Sequence, residues 1–389
     1  MINVGDLEIA GVYIGDEELS VYVGDELIYP MNFGTLTGIS LDNLTWVTDV
    51  PANGGTATSA NCSYTVTGYY DSGKTRKLTS KSTITGYLDV PATAADTREM
   101  VGTLTLTATC SGFTSTGSVD VYQEASVVDY SKKYLTFRIK ETGNLKWFTN
   151  GNSSYNKTIQ YSKDNGATWA SITSTSANNG TNISVTEGDV VLFKGSNNSY
   201  ASSTSRYASF YGSVKYEVEG NIMSLVYGDN FSGQTSLSSS NNFVYLFRGN
   251  STSGPTNAEN LVLPATTLQN YCYQRMFYEA YLLTKPPKIL PATTLKNYCY
   301  YEMFAGCRVL EKSPDLPAPT LVSYCYNGMM RVCPKLNYVK CLATSGINQN
   351  NSTNNFIGGA STGTFVKKAG VTWPTGTNGI PDGWTVEEE

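Results

Sequence analysis

The chain has 389 residues, of which 15% are charged, with 27 Lys and Arg against 32 Asp and Glu for a net charge of −5. It contains no histidine, which excludes Ser-His and Cys-His nucleophiles, histidine general bases and histidine-bearing metal sites. The acidic balance and the lack of a Lys/Arg cluster argue against nucleic acid as a partner. The length predicts two to four domains, the Ser, Thr, Asn, Gly and Tyr content predicts strands with polar, uncharged outer faces, and the lack of an apolar run of about 18 residues predicts no transmembrane helix.

Near the N-terminus, Val12-Tyr13-Ile14-Gly15-Asp16-Glu17 is echoed by Val21-Tyr22-Val23-Gly24-Asp25-Glu26, ahead of Leu27-Ile28-Tyr29-Pro30. Each phrase is an alternating strand followed by a Gly-Asp turn, so residues 1–32 are expected to form a β-meander. Such a sheet cannot bury a core alone. It either pairs with a neighbouring subunit or folds onto the next domain. In the first case Tyr13, Asp16, Tyr22, Asp25 and Tyr29 are the candidate attachment residues. The segment resembles the β-meanders that open tail-associated proteins of gut phages. It has neither a basic n-region nor an apolar h-region, which predicts no signal peptide and, with Met1 as the start, folding in a cytoplasm.

Residues 33–126 carry short alternating runs such as Ser63-Tyr64-Thr65-Val66 and Thr103-Leu104-Thr105-Leu106, separated by turn residues at intervals that suit an immunoglobulin-like β-sandwich. The stretch resembles bacterial Ig-like modules, which serve as spacers. Cys62 and Cys110 can face each other there, bonded or not. Gly68-Tyr69-Tyr70-Asp71-Ser72-Gly73-Lys74-Thr75 matches a phosphate loop by letter, but the flanks are β-rich and no helix is expected to follow, so a hairpin turn is the better reading.

Residues 127–230 read as a second β-sandwich, with strands expected at 134–139, 145–148, 159–161, 190–193 and 214–218. Ser162-Lys163-Asp164-Asn165-Gly166-Ala167-Thr168-Trp169 matches the Asp-box familiar from sialidases, a hairpin turn held by its Asp. A single copy is a structural signal. The loop tyrosines Tyr155, Tyr200, Tyr207 and Tyr211 follow no period. Exposed aromatics among Asn and Ser suit sugar or protein recognition, and these four are the candidate ligand-contact residues.

Residues 231–389 contain a repeat. LPATTLQNYCYQRMF from Leu263, LPATTLKNYCYYEMF from Leu290 and LPAPTLVSYCYNGMM from Leu316 follow one another at 27 and 26 residues. A fixed period of this size means one small unit stacked on its copies. The spacing of Tyr298, Cys299, Met303, Phe304 and Cys307 predicts a short helix, capped by Thr293 or Thr294 and ended by Gly306. Val309-Leu310-Glu311-Lys312 predicts a strand after it. Tyr245-Leu246-Phe247-Arg248 reads as a degenerate opening copy. Copy one departs from the pattern at Tyr278-Glu279-Ala280, and copy three at Met330-Arg331-Val332. The repeat-matched Cys272, Cys299 and Cys325, with Cys307 and Cys333, are expected to be buried thiols, with zinc binding the weaker alternative. The units resemble the BspA-type leucine-rich repeats of gut Bacteroidetes and their phages, and Gly363–Val386 resembles the segment that closes such arrays.

The expected fold is therefore mainly β and multidomain: an N-terminal β-meander (1–32), two Ig-like or β-sandwich domains (33–126 and 127–230), and a C-terminal leucine-rich-repeat-like solenoid (231–389). These resemblances imply a non-enzymatic phage virion protein, of a tail fibre, baseplate or head fibre. It would be held by its N-terminus and would display its other domains to a host-surface glycan or protein. No catalytic, cofactor or metal residues are nominated. Self-association stays open. A bacterial BspA-like surface adhesin is the alternative, and a glycan-active enzyme ranks behind both.

Overall fold

A computed structural model describes residues 34–93, 98–124, 128–151, 155–177 and 180–389, together with the strand backbone at Ile2–Val4, Leu7–Ile9, Ser20–Val23 and Glu26–Pro30. The chain is mainly β, with one short α-helix, Ser224–Tyr227, among the described residues. No helix among them is long and apolar enough to cross a membrane. Residues 1–128 and 129–389 form two compact units.

In the first unit the four N-terminal strands pair antiparallel in chain order. Tyr22 and Tyr29 fall on these strands. Tyr13, Asp16 and Asp25 lie outside the described residues. Beyond them, Leu36–Trp46, Cys62–Tyr70 and Thr75–Lys77 make one antiparallel sheet, and Thr83–Thr85, Glu99–Cys110 and Phe113–Gln123 another. Alternation along Glu99–Cys110 sends Leu104, Leu106, Ala108 and Cys110 inward. Cys62 packs in the cluster around Leu104 and Leu106, Cys110 in the one around Val66 and Leu78, and both are free thiols. Gly68–Thr75 is a hairpin turn in which the Tyr70 amide donates to the Lys74 carbonyl and a strand follows.

The second unit begins with two sheets. One runs Ala170–Thr173, Thr158–Ser162, Val190–Gly195, Leu135–Ile139, Lys215–Asn221, Gly254–Asn257, and the other Thr181–Val185, Gly143–Asn150, Arg206–Gly212, Ala201–Ser203. Their apolar faces meet at Phe137, Trp147, Phe193 and Phe210, whose ring centroids lie 4.7 to 4.8 Å apart. The Asp-box closes the hairpin between Thr158–Ser162 and Ala170–Thr173. Asp164 accepts from the Ser162 hydroxyl (2.7 Å), the Thr168 amide (2.9 Å) and the Thr168 hydroxyl (2.5 Å), and the Trp169 indole donates to the Gly166 carbonyl.

Five stacked coils follow, at 241–249, 271–280, 298–307, 324–333 and 351–359. They correct the helical expectation. Residues with positive φ recur every fourth position: Tyr271, Arg275 and Glu279; Tyr298, Glu302 and Gly306; Tyr324, Gly328 and Val332; Asn351, Asn355 and Gly359. An α-helix tolerates none of these. The amides instead alternate. In the second coil Tyr271, Tyr273, Arg275, Phe277 and Glu279 donate forward to carbonyls of the third, while Cys272, Gln274, Met276, Tyr278 and Ala280 donate back within their own coil. Thr294 pairs with Thr267 of the preceding copy instead of capping a helix, and Lys312 makes an isolated parallel bridge to Tyr338 where a strand was expected.

Side chains inherit the four-residue period. Cys and Tyr, then Met and Phe, point inward in pairs, and identical residues stack between coils. One ladder runs Phe243, Tyr273, Tyr300, Tyr326, Phe356 at 5.6 to 5.9 Å between centroids. Another runs Phe210, Phe247, Phe277, Phe304 at 5.2 to 6.0 Å. The cysteines are buried free thiols beside these rings, and Cys307 and Cys333 donate to the Phe277 and Phe304 carbonyls at 3.3 and 3.2 Å. The final segment closes the stack with Phe365, Trp373, Ile380 and Trp384.

The core runs unbroken from Leu135 to Trp384, through residue 230. The separate domains expected at 127–230 and 231–389 are therefore one body. The first coil is hydrogen-bonded onto the sheets, because the Tyr200 amide donates to the Asn242 carbonyl and the Phe210 amide to the Leu246 carbonyl.

Candidate functional site

Strand Arg206–Gly212 alternates Ala208 and Phe210 into the sheet core with Tyr207, Ser209 and Tyr211 on the opposite face. The first coil covers part of that second face. The Ser209 hydroxyl donates to the Tyr245 carbonyl at 2.7 Å, and the Tyr207 and Tyr245 rings lie 4.6 Å apart. Tyr207 is thus 4% exposed, while Tyr211, one step past the coil, is 36% exposed.

Between Tyr211 and the coils lies a groove of about 340 Å³, walled by Phe148, Tyr211, Arg248, Asn250, Glu279 and Tyr281. Its floor depends on Gly249, where a Cβ would come within 2.6 Å of the Ala280 Cα. Any other residue would push the first two coils apart. A smaller hollow of about 160 Å³ adjoins it, sharing Glu279 and Tyr281 and adding Gly306, Arg308, Arg331 and Val332.

Arg275, Glu279, Glu302 and Arg331 sit at or beside positive-φ positions of the coils. Arg248 pairs with Glu279 at 3.0 Å and donates to the Tyr207 hydroxyl at 3.4 Å. Glu302 takes Arg275 at 2.6 Å and Arg331 at 3.1 Å, and Arg275 also donates to the Tyr245 hydroxyl at 2.8 Å. Rings of Tyr245, Tyr278 and Tyr301 surround the Arg275 guanidinium at 5.4 to 5.6 Å. Burial opposes the charges of Arg248 and Arg275, but their hydroxyl and carboxylate partners outweigh it and raise both above the ordinary arginine value. Burial pushes Tyr245 up, and it pushes Tyr301 up with help from Glu302. Arg308 differs from the other three arginines. It is exposed, lies over the Tyr281 ring at 4.3 Å, and makes no ion pair among the described residues.

The structure brings two of the four sequence-nominated tyrosines, Tyr207 and Tyr211, to this groove, and only Tyr211 offers it an exposed ring. Tyr200 is a correction. It is fully buried, its hydroxyl donates to the Leu225 carbonyl at 2.6 Å, and its ring lies between Trp147 and Phe243, joining sheets to coils. Its polar neighbours disguise a core residue. Tyr207 is likewise too buried for direct contact, because the first coil lies on it. Tyr155 is half-buried away from the groove, with Lys157 at 4.6 Å over its ring, and burial raises its hydroxyl pKa.

Arg248, Glu279, Tyr281 and Arg308 were not nominated. Only Glu279 carried a signal, in the departure Tyr278-Glu279-Ala280, and the other departure, Arg331-Val332, borders the smaller hollow. No family model, curated protein or solved structure matches this chain.

Proposed function

We propose that the chain is a non-enzymatic structural protein of a phage virion, of tail or head fibre type. Residues 1–32 hold it to the particle, an Ig-like sandwich at 33–126 acts as spacer, and residues 129–389 present leucine-rich-repeat-like coils to a host-surface glycan or protein. The observation that carries the reading is the groove at Phe148, Tyr211, Arg248, Glu279 and Tyr281. Aromatic rings and opposed charges face solvent on a body whose interior is a continuous aromatic ladder. A recognition surface on so stiff a support binds with little loss of conformational entropy.

The N-terminal sheet supports the attachment half of the reading. Among the described residues its outer strands, Ile2–Val4 and Glu26–Pro30, each pair on one side only, and a partner can cover such edges by strand addition. Deleting residues 1–30 should leave a folded protein that no longer enters particles. Purified virions from a strain carrying the deletion, probed for the protein, give the answer. Normal incorporation would move the anchor elsewhere. Blocking of phage adsorption by added 129–389 fragment tests the display half of the reading.

A further inference from the structure

The two adjoining hollows carry three arginines, Arg248, Arg308 and Arg331, against one glutamate, Glu279. Glu302 lies beside them but is already shared by Arg275 and Arg331. Taken together, the two ring-walled hollows are thus locally cationic on a chain whose net charge is −5. Arg308 has no carboxylate partner among the described residues, and stacking on Tyr281 holds its planar fork in place. Exposed Tyr211 with Phe148 supplies apolar ring surface on the groove wall, and Glu279, one of whose oxygens takes Arg248, supplies an acceptor for a hydroxyl group. A volume of about 340 Å³ lies at the small end of ligand sites and suits one or two sugar rings.

We propose that this groove and the smaller hollow beside it together bind an acidic saccharide, with a pyranose ring against Tyr211 in the groove and a carboxylate on the Arg308 guanidinium in the hollow. The inference rests on the display reading above and adds the class of ligand. A guanidinium matches a carboxylate with two parallel hydrogen bonds, which a neutral sugar cannot offer. A nucleic acid is a poorer fit, since its phosphates would meet too few cations over too short a path.

The test uses the full chain on an array of oligosaccharides in matched pairs: galacturonan and glucuronan fragments and sialyllactose, each beside its carboxyl-reduced or carboxyl-free counterpart. Hits are then titrated by calorimetry. At least one acidic member should bind about tenfold or more tighter than its neutral partner, equivalent to about 1.4 kcal/mol. Arg308→Gln should abolish that difference, and Tyr211→Ala should weaken both members of the pair. Both sites are exposed, so the variants should keep the wild-type melting temperature, which is measured alongside. Equal binding of acidic and neutral partners, or no binding by any acidic member, overturns the proposal. So does a hexaglutamate peptide that binds as tightly as the best saccharide, because charge alone would then explain recognition. If the 129–389 fragment still blocks adsorption while the array is blank, the display reading stands and only this site falls.

Discussion

The Tyr200 hydroxyl donates to the Leu225 carbonyl at 2.6 Å, whereas the hydroxyl of Tyr273, equally enclosed, has no hydrogen-bond partner among the described residues. An unpaired buried hydroxyl costs about 1–3 kcal/mol. Tyr273→Phe should therefore leave stability unchanged or raise it by about 1 kcal/mol, while Tyr200→Phe should lower it by a similar amount. Denaturant midpoints of the two variants decide the matter, and a loss in Tyr273→Phe would mean that its oxygen is paired. Asp164 offers a second comparison. The Thr168 hydroxyl, then the Ser162 hydroxyl and the Thr168 amide, bring its carboxyl from 3.8 down to about 2. A carboxylate with a lowered folded-state pKa adds stability that is complete above 3.8 and fades as pH falls towards 2. Asp164→Asn should lose stability at pH 6 and flatten the decline between pH 4 and pH 2, as read from melting temperatures across that range. Parallel pH profiles for the variant and the parent would show that the turn does not depend on this charge.

The repeat shows what a sequence discloses and what it hides. The copies from Leu263, Leu290 and Leu316, their inward Cys299, Met303, Phe304 and Cys307, and the opening copy around Tyr245 were legible, but Tyr298 was expected inward and Tyr300 takes that place. The backbone was not legible. Pairs at i, i+1, i+4 and i+5 fit a helix and a four-residue spiral about equally well, because periods of 3.6 and 4 drift apart by only about 50° over five residues. The distinguishing mark is a positive φ at every fourth position, and Tyr271, Arg275 and Val332 do not announce it. Gly306 and Gly328 did, but Gly306 was read as a helix stop. The fifth coil escaped notice because Ser352 and Thr353 stand where Cys and Tyr were expected, with hydroxyls satisfied by the Gly346 and Asn378 carbonyls. Val332 follows from the same geometry. A β-branched residue at φ 60° is strained, and its side chain is half exposed, so little packing is lost on replacement. Val332→Asn should raise stability by about 1 kcal/mol, measurable as a higher melting temperature. A decrease would show that the valine's contacts outweigh its strain.

Alternation placed four strands of the first sheet of the second unit but only Gly143–Asn150 of the second sheet, and a boundary at residue 230 was expected that the core crosses. Local pattern cannot reveal that Phe210 stacks on Phe247 or Tyr200 on Phe243, since those contacts join segments far apart in the chain. The same blindness hid the groove, whose walls come from Phe148, Tyr211, Arg248 and Tyr281. Residues 129–389 should accordingly unfold in a single transition. A 231–389 fragment should fail to fold, because Phe243, Leu246 and Phe247 would lose their cover. Circular dichroism melts of the two fragments test this, and a cooperative melt from the shorter one would restore the boundary.

The alternating amides also give the stack a direction. In every coil from the first to the fourth, the outgoing donors serve carbonyls of the next coil, and the carbonyls accept from the one before. The two ends are therefore chemically different. The beginning needs a neighbour that supplies N–H groups, and the sheets provide it through Tyr200 and Phe210. The far end needs acceptors, and the Asn378 side chain, taking the Asn355 amide at 2.9 Å, answers part of that need. As the chain emerges from the ribosome, each new coil finds amide donors for its carbonyls already in place on the coil before and offers its own amides to what has yet to be made. Such an array can lengthen by whole coils inserted between its ends, each arriving with one complete set of givers and takers. Neither end can be exchanged for the other.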